Sequence, residues 1–217
     1  MAVLYPSLLA ADEHSLDKAV RQLETIAHGF HIDIMDNKFV PNTGISVEKT
    51  NALAKITYRQ LWVHLMVEEP ESYLNQLQLP ADSILTFHIE SHKQSSKMIN
   101  KIIEKKWLPG IAVKPKTSVG EVFPFLGSIY QALIMSVEPG FSGQPFLEET
   151  LDKIGPLLGY RDTSHLKFKI AIDGGISEKN LAKVVQKRVD EIAIGSAIFD
   201  AKVGPVKALQ LLSEIAE

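Results

Sequence analysis

The stretch His31-Ile32-Asp33-Ile34-Met35-Asp36 decides how this chain folds and where its chemistry lies. Isoleucines alternate here with other side chains, a pattern typical of a short strand in which successive side chains point to opposite faces. His31, Asp33 and Met35 therefore share one face of the predicted strand. An imidazole and a carboxylate on the same face can converge on one metal ion. Taken alone, the stretch fits a hydrated, polar strand end equally well, so the rest of the chain has to decide.

Composition limits the kinds of protein that this chain can be. It has 217 residues, 45% of them hydrophobic and 23% charged, which fits one globular domain over residues 1–217. The net charge of −3 gives no reason to expect nucleic acid or a membrane surface as a partner. No apolar run reaches the roughly 18 residues of a membrane span, and no signal peptide precedes the first strand, so we expect a cytoplasmic protein. Cysteine is absent, so any metal must be held by nitrogen and oxygen ligands.

Strand-like and helix-like segments alternate along the whole chain. We predict eight strands, at residues 3–9, 30–35, 61–66, 83–88, 108–113, 129–137, 167–172 and 189–194. We predict helices between and after them, at residues 12–28, 47–56, 70–77, 95–106, 119–126, 147–158, 178–186 and 203–216. Such regular alternation favours a parallel sheet of the α/β class, and eight units in a chain of this length fit a (β/α)8 TIM barrel.

A doubly wound open sheet is the rival architecture. Polar residues follow the first, second, third, sixth, seventh and eighth predicted strands. A barrel brings all those strand ends to one mouth, whereas an open sheet spreads them along a line. We therefore favour the barrel.

Four side chains at three strand ends form a candidate metal site. His31 and Asp33 lie on the second predicted strand, His64 on the third, and Asp173 directly after the seventh. Taken singly, His64 fits a satisfied histidine better, and Asp173 before two glycines fits a turn former or helix cap better. Turn chemistry does not account for all four together. Two imidazoles and two carboxylates suit zinc, iron, manganese or cobalt, so we predict one divalent metal ion per chain.

Glycine-bearing loops follow the last three predicted strands. They read Gly140-Phe141-Ser142-Gly143, Gly174-Gly175 and Gly195-Ser196. Glycine lets backbone N–H groups approach an anion closely, and helix N-termini add a favourable dipole. Loops after the last strands of TIM barrels often hold phosphate, so we predict a phosphate site there.

Seven motifs in order along the chain resemble those of the ribulose-phosphate 3-epimerase family. They are Pro6-Ser7-Leu8-Leu9, residues 31–36 with Phe39-Val40-Pro41-Asn42, His64-Leu65-Met66-Val67, Phe87-His88-Ile89-Glu90, Val137-Glu138-Pro139-Gly140-Phe141 with Gly143-Gln144, Asp173-Gly174-Gly175-Ile176, and Gly195-Ser196-Ala197-Ile198-Phe199. Single motifs are weak signals, but the ordered combination is specific. The resemblance implies a metal-dependent TIM barrel that interconverts ribulose 5-phosphate and xylulose 5-phosphate.

The resemblance also implies a role for each matching residue. The metal ligands would be His31, Asp33, His64 and Asp173, and the acid–base pair would be Asp33 and Asp173, one on each face of the substrate. The sugar would contact Ser7 and His64, and the phosphate would be held by Gly140, Phe141, Ser142, Gly143, Gly174, Gly175, Gly195 and Ser196. Inverting C3 through an enediolate needs a base on one face and an acid on the other, which two carboxylates supply. We expect a small sugar phosphate as the partner, and a homo-oligomer.

Departures from the family pattern leave the sugar open. Asn37 stands where glycine is usual, Ser142 replaces a phosphate-loop glycine, and the Ser46 position resembles relatives that epimerise hexulose phosphates such as allulose 6-phosphate. The first alternative is therefore a hexulose 6-phosphate 3-epimerase. A second is a barrel that binds a sugar phosphate without turning it over. A third is a metal-free decarboxylase or aldolase, for which Lys114 is the one candidate lysine at a strand end.

Overall fold

Eight parallel strands form a barrel in the computed structural model, which describes all 217 residues. The strands are β1 (Val3–Pro6), β2 (Gly29–Met35), β3 (Gln60–Met66), β4 (Ile84–His88), β5 (Leu108–Val113), β6 (Gln131–Met135), β7 (Lys169–Asp173) and β8 (Glu191–Ile194). Neighbours follow chain order from β2 to β8, and β8 pairs with β1. A bridge between Ser7 and His31 brings β1 beside β2. The predicted barrel is confirmed and the open sheet is excluded.

Helices follow the strands, although several are shorter than predicted. The α-helices are α1 (Leu16–Leu23), α2 (Val47–Ile56), α3 (Ser95–Glu104), α4 (Ile154–Thr163), α5 (Glu178–Gln186), α6 (Ser196–Phe199) and α7 (Pro205–Ala216). Only 3-10 turns form after β3 and β5, at Pro70–Tyr73 and Val119–Phe125. Pro124 lies inside the second of these and lacks the N–H that an α-helix would need there.

The predicted helix over 147–158 is displaced along the chain. A 3-10 turn, Glu148–Lys153, comes first, and α4 begins only at Ile154. Pro156 therefore lies in the first turn of α4 rather than disturbing its last turn. A proline fits there because the first N–H groups of a helix have no partner within it.

The alternating faces of β2 separate an outer core from the barrel interior. Ile32 and Ile34 belong to the large apolar cluster that also contains the buried faces of the helices. Met35 belongs to a smaller cluster with Trp62 inside the barrel. The predicted sharing of one face by His31, Asp33 and Met35 therefore points the polar side chains of β2 into the barrel.

Candidate active site

The four predicted metal ligands meet inside the barrel, near the carboxyl ends of the strands. One ligand atom from each of His31, Asp33, His64 and Asp173 lies within 4.8 Å of the others, and we call these residues the mouth cluster. The Asp33 Oδ1 atom lies 3.0 Å from His31 Nε2 and 3.2 Å from His64 Nδ1. The Asp173 Oδ2 atom lies 3.6 Å and 3.7 Å from the same two nitrogens. The parallel register of β2 and β3 places Asp33 directly beside His64.

The donor atoms of the mouth cluster fit a divalent metal ion. His31 and His64 are fully buried, and Asp33 is almost so. His64 Nδ1 faces two carboxylates at short range, yet it makes no hydrogen bond. Leaving a buried polar atom unpaired costs about 1–3 kcal/mol. A ligand that bonded to this nitrogen would remove that cost. Two nitrogen and two oxygen donors are a set that zinc and related ions accept. The mouth cluster could therefore hold one such ion.

Charges within the mouth cluster reinforce one another. Burial disfavours a His31 cation, but the charges of Asp33 and Asp173 raise the pKa of His31 to about 10. Burial also opposes ionisation of both carboxyl groups, yet the neighbouring histidines hold the pKa of Asp33 and of Asp173 below the usual range. Both aspartates are therefore ionised at neutral pH, and a bound metal ion would replace the extra proton that they hold on His31.

A cavity adjoins the mouth cluster. Asp33 and Asp173 line it, whereas the buried His31 and His64 do not. Ser7 lines the cavity too, and its hydroxyl donates a hydrogen bond of 3.0 Å to Asp33 Oδ2. A small molecule at this end of the cavity would thus meet two carboxylates and the hydroxyl of Ser7. The expected contact of His64 with the sugar stays a prediction.

All eight residues of the predicted phosphate site line the same cavity. They are Gly140, Phe141, Ser142, Gly143, Gly174, Gly175, Gly195 and Ser196. Gly174 and Gly175 have φ angles of +117° and +64°, which L side chains rarely adopt. A Cβ on Gly174 would lie 2.5 Å from the side chain of Val137. Because no lysine or arginine lines the cavity, an anion there would depend on backbone N–H groups and hydroxyls.

The loop after β2 is hydrogen-bonded to the glycine-bearing loop after β6. The amide of Asn42 donates a hydrogen bond of 2.7 Å to the carbonyl of Gly140. The Asp36 carboxylate accepts backbone hydrogen bonds from Lys38 and Phe39, which folds the first turn of the loop. Asn37 has a φ of +56°, so the usual glycine is replaced here by a residue that tolerates this conformation.

The two residues on which alternative functions depend, Ser46 and Lys114, lie outside the cavity. Ser46 caps α2, where its hydroxyl accepts the backbone N–H of Lys49, and it does not line the cavity. Lys114 does not line the cavity either, since its ammonium lies 3.7 Å from the centre of the Phe39 ring. Neither residue therefore lines the cavity that the candidate acid–base pair and the glycine-bearing loops share.

His88 and Glu90 extend the mouth cluster beyond the residues to which the sequence assigned a role. His88 Nε2 lies 3.0 Å from His64 Nε2, and His88 Nδ1 lies 3.2 Å from Glu90 Oε2. Burial lowers the pKa of His88 to about 4. Burial opposes ionisation of Glu90, but hydrogen bonds from His88, Thr117 and the Lys114 amide hold its pKa at about 2. The signal was present in the sequence, because His88 and Glu90 repeat the spacing of His31 and Asp33.

Fold and cavity together define the class of protein. This is a TIM barrel with a buried histidine–carboxylate cluster beside a glycine-lined cavity at the strand ends. The model of the ribulose-phosphate 3 epimerase family matches residues 3–199. The chain belongs to that family and is an epimerase, an enzyme of the isomerase class.

Similar proteins agree in sequence over most of their length. Ribulose-phosphate 3-epimerase from Schizosaccharomyces pombe is 36% identical over 205 residues, which are 93% of this chain and 88% of that protein. The enzyme of the same name from Treponema pallidum is 36% identical over 202 residues, 90% of each chain. Among solved structures, KGPDC from Streptococcus mutans has a TM-score of 0.70 at 16% identity and covers 100% of this chain and 97% of that chain. At that identity the likeness shows the fold alone. Every helix is too short or too polar to cross a bilayer.

Proposed function

We propose that this chain is a metal-dependent 3-epimerase that interconverts D-ribulose 5-phosphate and D-xylulose 5-phosphate. One observation carries the proposal: the carboxyl groups of Asp33 and Asp173 line the cavity that the three glycine-bearing loops also line. They come from strands that are not neighbours, β2 and β7, so they can approach a bound sugar from different sides. The names of the curated relatives at 36% identity support the pentulose phosphate.

His31, Asp33, His64 and Asp173 would hold the metal ion, which could be zinc, iron, manganese or cobalt. When bound, such an ion would act as a Lewis acid and stabilise negative charge that develops on the substrate oxygens. The unpartnered Nδ1 atom of His64 supports this assignment, as does a donor set without sulfur. These donors bring negative charge into a buried site, which favours a cation there.

Asp33 and Asp173 would move the proton at C3 of the substrate. C3–H lies next to the C2 carbonyl, so its removal leaves an enediolate rather than a localised carbanion. One aspartate would take the proton from one face, and the other, protonated at the start of that turnover, would deliver a proton to the opposite face. Ser7 would orient Asp33 through its hydrogen bond of 3.0 Å. The pair would exchange these roles in the reverse direction.

The phosphate would lie against the three glycine-bearing loops. Gly174 and Gly175 adopt positive φ angles, and nothing larger than glycine fits at Gly174. Ser142 and Ser196 line the cavity beside them and would add hydroxyl donors. The names of the curated relatives, ribulose-phosphate 3-epimerases, support a sugar phosphate as the ligand here. The expected homo-oligomer stays a prediction.

The test is a comparison of two sugars in deuterated water. Purified protein is given ribulose 5-phosphate or allulose 6-phosphate, and the product and its label at C3 are read by NMR. We expect xylulose 5-phosphate that carries one solvent deuteron at C3. Faster turnover of allulose 6-phosphate would instead assign the hexulose alternative. Tight binding of both sugars without exchange at C3 would leave a binding barrel and overturn the proposal.

A further inference from the structure

We propose that Glu90 and His88 are positioning residues that fix the tautomer of His64, so that its Nδ1 atom keeps a free lone pair facing the mouth cluster. The inference rests on the proposed function, because that lone pair matters only if a metal ion binds there. Neither residue touches the cavity, and both act through hydrogen bonds.

The chain of hydrogen bonds begins at Glu90. Its Oε1 atom accepts the backbone N–H of Lys114 at 2.8 Å, and its Oε2 atom lies 3.2 Å from His88 Nδ1. A carboxylate has no proton to donate, so the proton between Glu90 and His88 belongs to His88 Nδ1. A neutral His88 then has only a lone pair on Nε2.

The hydrogen bond between His88 and His64 then determines which ring nitrogen of His64 carries a proton. His88 Nε2 lies 3.0 Å from His64 Nε2, and a hydrogen bond between two ring nitrogens needs one proton. Because His88 Nε2 carries none, His64 Nε2 must donate. A neutral His64 then carries no proton on Nδ1, in agreement with the lack of a hydrogen bond from this atom beside Asp33 and Asp173. Outer partners of this kind commonly orient a metal-binding histidine.

Reversing the donors and acceptors along this chain would place a proton on a group where it is unfavourable. If His64 carried its proton on Nδ1, then His88 would have to donate from Nε2. That requires either a protonated Glu90 or a His88 cation. The cation would be fully buried beside Glu90, with the ammonium of Lys114 and the imidazole of His64 also among its neighbours.

The Glu90→Gln variant should reverse the donor and acceptor of each hydrogen bond from residue 90 through His88 to His64. The backbone N–H of Lys114 needs an acceptor and would hold the amide oxygen of the new side chain in the place of Oε1. The NH2 group would then face His88 Nδ1 and donate to it. His88 would donate from Nε2, and the proton of His64 would move to Nδ1, where it blocks metal ligation. Size and shape are nearly unchanged, so a change in packing does not explain this result.

The tautomers are read directly in metal-free protein with ¹⁵N-labelled histidine. Long-range ¹H–¹⁵N correlation spectra show which ring nitrogen carries the proton, and the missing signals of His64→Gln and His88→Gln assign the two residues. We expect the wild-type protons on His64 Nε2 and His88 Nδ1, and the His64 proton on Nδ1 in Glu90→Gln. A wild-type proton on His64 Nδ1, or protons on both nitrogens of His88, would overturn the relay even in an active enzyme.

Zinc affinity supplies an independent measurement without substrate. Competition of Zn²⁺ with a chelating indicator should give about a 10–100-fold weaker affinity for Glu90→Gln, as is usual when an outer partner of a ligand is changed. Glu191→Gln is the matched control, since it removes another buried carboxylate that does not touch the mouth cluster. Its affinity should equal that of the wild type. Equal affinities in all three proteins would contradict the proposal, and failure of the wild type to bind zinc would instead contradict the proposed function.

Discussion

The barrel interior holds two buried polar clusters that differ in how completely they are hydrogen-bonded. One is the mouth cluster, in which His31 and His64 each keep a buried nitrogen without a partner. The other lies nearer the amino ends of the strands and is a continuous chain of hydrogen bonds, which we call the base network. Trp62 donates to Thr86, Thr86 donates to Gln131, and Gln131 and Tyr130 both donate to Glu191.

This difference suggests that the base network stabilises the fold and that the mouth cluster serves binding and catalysis. Every side chain of the base network has a partner from the chain itself, which is how buried polar groups normally contribute to a unique fold. In the mouth cluster, by contrast, His64 Nδ1 has no hydrogen-bond partner beside the two carboxylates, so a ligand could complete it. Trp62 lies between the two, since its indole reaches Thr86 and its ring packs 4.4 Å from that of His31. We therefore expect substitutions at the two ends to affect different properties.

The largest effect is expected from Asp33→Asn and Asp173→Asn. Each should lower kcat by the ~10²–10⁴-fold that is typical of a lost general acid or base, with the barrel still folded. Both changes also remove a candidate ligand, so metal content must be measured beside the rate.

Solvent labelling then tests the assignment to two faces. Each variant keeps one aspartate and should exchange the C3 proton on that face alone, so the two variants should label opposite epimers. If both label the same epimer while they retain metal, one aspartate is only a ligand.

Gln131→Leu should produce the reverse pattern at the base network. It removes the acceptor of the Thr86 hydroxyl and one donor to the Glu191 carboxylate, and both of these residues are buried. We expect the free energy of unfolding to fall by about 1–3 kcal/mol, with metal content and kcat unchanged. Urea unfolding and elemental analysis measure the two properties. Loss of metal in this variant would mean that the two clusters are coupled.

Ser142→Asp should affect substrate binding without affecting the proton transfer. Ser142 is exposed and lines the cavity with the other glycine-loop residues, so an added carboxylate would repel a phosphate there. A repulsion of roughly 1 kcal/mol or more between charges about 4 Å apart corresponds to a KM several-fold higher. Ser142→Asn, which adds similar bulk without charge, is the control. An unchanged KM in both variants would place the phosphate elsewhere.

The smallest effects concern pH, and two buried glutamates should give opposite slopes. Hydrogen bonds outweigh burial at Glu90 and hold its pKa at about 2, so its contribution to stability is present above the unfolded pKa of about 4.3 and is lost below it. Burial raises the pKa of Glu191, so its contribution decreases as the pH rises above that unfolded value. Compared with Glu90→Gln, the wild type should lose stability as the pH falls. Compared with Glu191→Gln, it should lose stability as the pH rises toward neutral. Unfolding titrations across this range measure both slopes, and slopes of the same sign would contradict the comparison.

Local sequence pattern was enough to predict the barrel and the mouth cluster. The alternation of β2 puts His31 and Asp33 on one face of the strand, and the order of parallel strands brings His64 and Asp173 to the same end of the barrel. Positive φ at the paired glycines, Gly174 and Gly175, is likewise a local property.

Contacts between distant segments could not be predicted in the same way. The bond of His88 to His64 and that of Gln131 to Glu191 depend on side-chain directions across the barrel, and no periodicity reports these. The short 3-10 turn at Pro70–Tyr73 was also missed, because its polar composition is equally compatible with a full helix.

Metal dependence of the epimerisation tests most directly the claim that the mouth cluster is completed by a ligand. Protein stripped with a chelator is titrated with Zn²⁺, and the formation of xylulose 5-phosphate from ribulose 5-phosphate is followed beside elemental analysis. We predict that stripped protein is inactive and that activity returns in proportion to bound metal, up to about one ion per chain. Full activity in protein without bound metal would contradict the claim.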